Sequence, residues 1–135
     1  MPTETTVRAA MAAVSPFFIV RDVREALAYY RDHLGFEVTF LGPEPDPFLA
    51  IVRRDGVQFL LKAVGDDVGA QPNRARHADA RWDAYVHAPD PDALAAELRG
   101  RGVTFSAPLA DTADGLRGFE LEDGDGYRLF FGRPR

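Results

Sequence analysis

Cysteine is absent from the 135-residue sequence, and histidine occurs only three times, as His33, His77 and His87. Without cysteine the chain cannot form disulfides, zinc–thiolate sites or iron–sulfur clusters, and it has no cysteine nucleophile. A metal site would therefore need histidine, carboxylate or amide ligands. The sequence also lacks any stretch of about 18 apolar residues, the length that spans a membrane, so we expect no membrane partner.

The sequence also has no excess of basic residues over acidic ones. Lysine and arginine together number 16 against 21 aspartates and glutamates, which gives a net charge of −5. Binding to nucleic acid requires a basic face, so we expect no nucleic-acid partner. The first residues lack the basic and then apolar pattern of a signal peptide, so we interpret residues 1–13 as a tail or arm and expect a cytoplasmic location.

The first half of the chain has the order strand, helix and three strands. A capping box at Asp22 and Glu25 begins the helix, which carries an apolar stripe and ends at Gly35. The dipeptide Asp55-Gly56 is a strong hairpin signal between the last two strands. The predicted strands of this half span residues 15–20, 36–41, 48–52 and 57–62.

The second half repeats this order. Asp90 is placed to cap a second helix with Pro91 in its first turn. The predicted strands of this half span residues 82–88, 103–106, 119–122 and 127–131. Asp90 follows Asp22 by 68 residues, and Gly126 follows Gly56 by 70. The repeat predicts an α+β fold of two βαβββ units, with curved mixed sheets and a helix on the convex side of each.

The repeat also sets the expected boundaries. The first unit spans residues 14–64, a connecting loop spans 65–80 and the second unit spans 81–135, all within one domain, as is usual for a chain of this length. A second long loop is expected at 107–118. Loops of this length in a compact domain are commonly lids, binding loops or disordered segments.

Side chains of a strand alternate between the two faces of its sheet, so the face opposite each helix can be predicted. The side chains expected to face the helices are Phe18, Val20, Phe59, Leu61, Val86, Ala88, Leu129 and Phe131. Those expected on the opposite faces are Ser15, Phe17, Ile19, Gln58, Leu60, Asp83, Tyr85, His87, Arg128 and Phe130. This mixture of aromatic and polar groups suits a ligand pocket, and it equally suits a subunit interface.

Three segments resemble the vicinal oxygen chelate superfamily, which includes glyoxalases, extradiol dioxygenases and bleomycin-resistance proteins. They are residues 16–36, 90–103 and the Asp-Gly-Asp-Gly turn at 123–126. The metalloenzymes of that family place ligands at four strand positions, which correspond here to Ser15, Leu60, Asp83 and Phe130. Three of these are not ordinary ligands of a divalent metal, and one carboxylate does not hold a catalytic metal. This departure from the ligand pattern that the resemblance implies predicts a protein without a metal or other cofactor.

Within this superfamily the chain is most similar to the bleomycin-resistance proteins. That resemblance implies a non-enzymatic protein that sequesters an aromatic or cationic, antibiotic-like small molecule in a cleft at a homodimer interface. The first strand of such proteins is exchanged between subunits, which implies exchange near Pro16 here. The implied ligand-binding residues are Phe17, Ile19, Leu60, Asp83, Tyr85, His87, Arg128 and Phe130.

Other interpretations remain open. Tyr85 and His87 could stack on a ligand or pack at an interface, and Asp83 could pair with a cationic group, act as a general base or form a salt bridge with an arginine. A lyase, isomerase or dioxygenase of the superfamily would need a metal held by Asp83 and His87 with a loop residue such as His77, or metal-free acid–base chemistry at Asp83. A dimeric module that senses a metabolite is a third possibility. Trp82 is expected to be a packing residue.

Overall fold

The computed structural model describes residues 7–135, so the first six residues of the predicted arm lie outside the described part. The strands are β1 (Phe17–Ile19), β2 (Glu37–Gly42), β3 (Leu49–Arg54), β4 (Val57–Lys62), β5 (Ala84–His87), β6 (Phe105–Asp111), β7 (Leu116–Glu122) and β8 (Arg128–Pro134). The helices are α1 (Val23–Ala28), which continues into a π-helical turn at Tyr29–His33, α2 (Asn73–Arg76) and α3 (Pro91–Gly100). None of the helices in the described residues is long and apolar enough to cross a membrane.

The strands form two four-stranded sheets with the orders β1-β4-β3-β2 and β5-β8-β7-β6. In each sheet the edge strand that precedes the helix is parallel to its neighbour, and the remaining pairs are antiparallel. Helix α1 packs on β3 and β4, and α3 packs on β6, β7 and β8. The predicted α+β class with two βαβββ units is therefore confirmed.

Both long helices begin where the sequence predicts. The Asp22 carboxylate accepts hydrogen bonds from the backbone N–H groups of Arg24 and Glu25, and Asp90 caps α3 in the same way. These bonds satisfy N–H groups that have no partner within a helix. The Glu25 carboxylate pairs with Arg21 at 2.8 Å, so the capping box is formed from the aspartate side only.

The prediction of a long loop at 107–118 is wrong. Strand β6 runs on to Asp111 and β7 begins at Leu116, so only a short turn separates them. That turn is closed by a 2.8 Å hydrogen bond from the backbone N–H of Thr112 to the carbonyl of Leu116. Pro108 disfavours a strand in a reading of the sequence. However, β6 is an edge strand, where a proline is tolerated.

Alternating side chains build the core between each sheet and its helix. All eight side chains predicted to face the helices are buried, with exposed fractions of 9% or less. Helix residues that complete the core include Ala26, Leu27, Tyr30, Ala95 and Leu98. The alternation rule thus predicts the buried side of both sheets correctly.

The two units pack against each other at two junctions that the internal repeat relates. The first junction joins β1 and α1 to the β7–β8 turn, where the Tyr30 hydroxyl donates a 2.7 Å hydrogen bond to Asp123. The second junction joins β5 and α3 to the β3–β4 turn, where Arg54 donates two hydrogen bonds to Glu97 at 2.7 and 2.9 Å. A hydroxyl–carboxylate hydrogen bond therefore links the units at the first junction, and an arginine–glutamate ion pair links them at the second.

Candidate functional site

A cavity of about 1030 Å³ lies at the second junction. Its walls come from the β3–β4 turn, β5 and α3, together with Val14 and Pro16 of the segment before β1. Buried apolar side chains in its lining include Phe36, Phe59, Val86, Leu98 and Phe131. A volume of this size and an apolar lining are typical of sites for small organic ligands.

Tyr85 and His87 belong to an aromatic cluster on the face of the second sheet opposite α3. Their ring centroids are 4.7 Å apart. Tyr85 also contacts Phe130 at 5.4 Å and Trp82 at 5.7 Å between centroids. Tyr85 is partly exposed, His87 is exposed, and both line the cavity. These two rings are therefore the members of the cluster within reach of a ligand in the cavity.

Phe130 occupies the predicted face, but other side chains cover it. Its exposed fraction is 4%, and the Trp82 ring stacks on it with centroids 4.4 Å apart. A Cβ atom on Gly118 or Gly132 would lie 2.6 or 2.5 Å from the Phe130 ring, so both glycines leave the space that this ring occupies. Phe130 thus packs beside Tyr85 on the same face, and Trp82 packs on Phe130.

The Asp83 carboxylate attaches the segment between the units to β8. One oxygen accepts the backbone N–H of Asn73 at 2.7 Å, and the other accepts the backbone N–H of Arg128 at 2.8 Å. Arg81 pairs instead with Asp114 at 3.0 Å. Both Asp83 oxygens are thus engaged in positioning the backbone, which does not favour a role as general base.

The remaining predicted residues lie elsewhere. Phe17 and Leu60 face each other across the β1–β4 pair of the first sheet, with Ile19 next along β1. Arg128 is held by Glu122 at 3.0 Å on the second sheet. The cavity lining contains three of the eight predicted ligand-binding residues, and these are Asp83, Tyr85 and His87.

The residues present do not fit a metal site. The four positions that the resemblance assigns to metal ligands are Ser15, Leu60, Asp83 and Phe130. Across residues 7–135, no three histidine, aspartate or glutamate side chains are grouped so that they could hold a metal ion. The alternative set of Asp83, His87 and His77 is therefore not brought together either.

Acidic side chains surround the entrance of the cavity. Asp55, Asp90 and Glu97 are exposed residues of its lining, and we call them the acidic rim. Arg54 also lines the cavity, but its guanidinium is paired with Glu97 at 2.7 Å. Glu97 is paired with Arg101 as well, at 3.0 Å, so the excess negative charge of the rim comes from Asp55 and Asp90. This excess favours a cationic group over an anionic one.

Most of the inner wall of the cavity was not predicted from the sequence. Val57 and Leu98 were not predicted as part of any site, and Val86 was predicted only as a buried residue that faces the helix. Such valines and leucines look like ordinary core positions in a sequence. A signal was nevertheless present, because the internal repeat places larger side chains at the equivalent positions of the other half.

Residues 10–131 match the family model described as Glyoxalase/Bleomycin resistance protein/Dioxygenase superfamily. The chain belongs to this superfamily. The match extends over most of both units of the superfamily fold, and it confirms the resemblance seen in the sequence. A comparison with curated protein sequences finds no match.

Several solved structures share the superfamily fold. The bleomycin-binding protein of Streptomyces verticillus, complexed with copper(II)-bleomycin, is 22% identical with a TM-score of 0.68, over 95% of this chain and 100% of that chain. TnmS3, an antibiotic binding protein from Streptomyces sp. CB03234, is 19% identical with a TM-score of 0.69, over 95% and 100%. Lactoylglutathione lyase from Agrobacterium tumefaciens is 19% identical with a TM-score of 0.61, over 92% and 95%. Because these proteins include both binders and an enzyme, the likeness establishes the fold alone.

Proposed function

We propose that this chain binds a small aromatic or cationic molecule reversibly and without chemistry, as a sequestering protein of the bleomycin-resistance type. The observation that carries the proposal is the cavity of about 1030 Å³ with Tyr85 and His87 in its lining. A flat ligand can stack on these rings, and a cation over an aromatic face gains up to about 2 kcal/mol when water is excluded. The acidic rim adds attraction for a positive charge.

The arrangement of the polar groups supports binding over catalysis. The Asp83 carboxylate is engaged by two backbone N–H groups, and three of the four positions used for metal ligation in the family carry serine, leucine and phenylalanine. A binding protein needs neither a general base nor a metal. Sequestration follows from mass action, because ligand held in the cavity is unavailable to its target.

The proposal includes a homodimer with an exchanged first segment. An apolar row crosses the first sheet, and from strand to strand its members are Phe17, Leu60, Ile51 and Phe40. Phe17 and Phe40 are 54% and 47% exposed, so a second subunit has an apolar surface to cover. Val14 and Pro16 line the cavity, so an exchanged segment would bring residues of the partner to the ligand.

Ligand binding is tested by thermal melts of the full chain with bleomycin-class and other planar cationic compounds. A ligand at 100 times its Kd stabilises the folded state by about 2.7 kcal/mol, which raises the Tm of a domain of this size by on the order of 5–10 °C. We expect Tyr85→Ala to abolish the shift, because it removes the stacking surface. The matched control is Phe48→Ala, which removes a 43% exposed ring outside the cavity lining.

Two results would contradict the proposal. One is the absence of any shift across the compound panel at concentrations that saturate ordinary antibiotic-binding proteins. The other is a shift of the same size with manganese, cobalt, nickel or zinc that is lost in Asp83→Ala, which would favour an enzyme with an unusual metal site.

A further inference from the structure

The internal repeat makes the two junctions directly comparable. Strand β1 pairs with β4 as β5 pairs with β8, with Phe17 opposite Leu60 and Tyr85 opposite Phe130. Positions of β1 and α1 therefore correspond to positions 68 residues later, and positions of β4 correspond to positions 70 residues later. Each side chain at the first junction thus has a defined counterpart at the second.

Aromatic side chains fill the first junction. The Tyr127 ring stacks on Phe18, with 4.2 Å between ring centroids and 10° between ring planes. Its hydroxyl donates a hydrogen bond to the backbone carbonyl of Ile19. The Tyr30 ring lies in the same junction, and all three rings are at most 6% exposed.

Smaller side chains occupy the equivalent positions of the second junction. Val57 corresponds to Tyr127, Val86 corresponds to Phe18, and Leu98 corresponds to Tyr30. All three aliphatic residues line the cavity. The cavity is therefore the space that aromatic rings occupy in the other half of the molecule.

The second junction also has a backbone carbonyl equivalent to that of Ile19, which accepts the Tyr127 hydrogen bond at the first junction. His87 corresponds to Ile19, and each is the last residue of its strand. The residue that follows each strand donates a 2.9 Å backbone hydrogen bond to the same position of the parallel neighbour. Because the backbone directions match, the His87 carbonyl is oriented toward the second junction as the Ile19 carbonyl is toward the first.

We propose that the second junction binds a planar aromatic ring that carries a hydrogen-bond donor, such as a phenol or an aromatic amine. The ring lies between Val57 and Val86, where the repeat places the ring of Tyr127, and its donor bonds to the His87 carbonyl. The acidic rim disfavours rings that carry a carboxylate. The inference rests on the proposed function and specifies which part of the ligand enters the cavity.

p-Cresol, the side-chain analogue of tyrosine, is the probe for this site. The full chain is titrated with it, and the methyl groups of Val57, Val86 and Leu98 are followed by NMR. We expect saturable shifts at these methyls. Toluene lacks the donor and should bind roughly fivefold more weakly, the ratio that one net hydrogen bond gives. 4-Methylbenzoate should bind more weakly than p-cresol because of the acidic rim.

Val57→Tyr places at the second junction the ring that Tyr127 places at the first. It should abolish p-cresol binding, while the Tm is kept or raised. Val86→Phe fills the same space from the other side and serves if the first variant does not fold. Val64→Tyr is the matched control, because Val64 is 46% exposed and lies outside the cavity lining. We expect this control to bind p-cresol as the natural chain does.

The inference is overturned if folded Val57→Tyr or Val86→Phe binds p-cresol with unchanged affinity, or if the natural chain gives no saturable shifts. The outcome for the proposed function is separate. A compound of the antibiotic panel that binds less tightly to Tyr85→Ala, but equally tightly to Val57→Tyr, would support sequestration and contradict this site. Failure of every panel compound, with p-cresol still bound at these methyls, would contradict sequestration alone.

Discussion

Asp123 is a carboxylate that is 7% exposed and stands at the first junction. One of its oxygens accepts the Tyr30 hydroxyl, and the other accepts the backbone N–H groups of Asp125 and Tyr127. Burial raises its pKa to about 6, although these hydrogen bonds act in the opposite direction. A single side chain thus closes the β7–β8 turn and joins it to α1.

The raised pKa of Asp123 predicts a pH dependence of stability with a definite sign. The pKa is about 6 in the folded chain against 3.8 in the unfolded chain, so the folded chain binds this proton more tightly. The resulting stabilisation is fully present below about pH 4 and is lost as the pH rises toward 6. Asp123→Asn cannot titrate and should lack this loss.

Urea unfolding of the natural chain and of Asp123→Asn at pH values from 4 to 7 checks this prediction. The free energy of unfolding of the natural chain, relative to the variant, should fall by up to about 3 kcal/mol over that range. Asp66→Asn, at an exposed carboxylate, is the control and should run parallel to the natural chain. Parallel curves for Asp123→Asn as well would show that Asp123 has an ordinary pKa.

Among the elements, the short helix α2 is attached to β8 through the Asp83 side chain. The carboxylate bonds to the first backbone N–H of α2 at one side and to the first of β8 at the other. The side-chain amide of Asn73 adds a 3.2 Å hydrogen bond to the carbonyl of Trp82. These bonds hold the segment 65–80 beside the aromatic cluster.

We expect Asp83→Ala to lower the free energy of unfolding by about 1–3 kcal/mol, because two partly buried N–H groups lose their acceptor. Cleavage within residues 65–80 should also become faster in limited proteolysis. Asp66→Ala, an exposed aspartate of the same segment, serves as the control and should change neither property. Unchanged stability and proteolysis in Asp83→Ala, together with lost ligand binding, would instead make this carboxylate a ligand contact.

Helices and turns that are formed by bonds between residues close in the sequence can be predicted from the sequence. Helix starts at Asp22 and Asp90 depend on bonds within a few residues, and the Asp55-Gly56 turn is equally local, so the sequence predicts all three. The β6–β7 hairpin has no such signal, since Pro108 and several alanines disguise an edge strand. For that reason residues 107–111 of β6 and 116–118 of β7 are predicted as parts of a loop.

The site was predictable only in part for the same reason. The alternation of side chains identifies Tyr85 and His87 correctly as residues of the face opposite α3. The apolar inner wall is different, because Val57 lines the same cavity as Val86 and Leu98 only through the packing of one unit on the other. No local pattern predicts that arrangement, and the comparison of the two halves becomes informative only when the junctions are known.

For the whole molecule, the two sheets present unlike faces. The apolar row on the first sheet contrasts with the second sheet, where Arg128 is paired with Glu122 and lies near Glu120, beside the aromatic cluster. We expect a homodimer in which the first sheet is covered. Changing Phe17 and Phe40 together to aspartate should give a monomer in sedimentation experiments, because charges replace the apolar row.

The control for that experiment is Phe48→Asp, which changes an exposed phenylalanine outside the row and should leave the dimer intact. The dimer hypothesis would be contradicted by a natural chain that sediments as a stable monomer at micromolar concentration. The result bears on ligand binding too, since exchange near Pro16 would make each cavity depend on both subunits.

The first junction has a consequence for how the chain is made. Its hydrogen bonds from Tyr30 to Asp123 and from Tyr127 to Ile19 span 93 and 108 residues. At roughly 5–20 residues per second, a ribosome needs about 5–20 s to add such a stretch. During that interval Phe18 and Tyr30 have been synthesised, but the turn that covers their rings has not. Chaperones therefore have several seconds to engage the nascent first half, and a chain released before the β7–β8 turn would keep an uncovered aromatic surface.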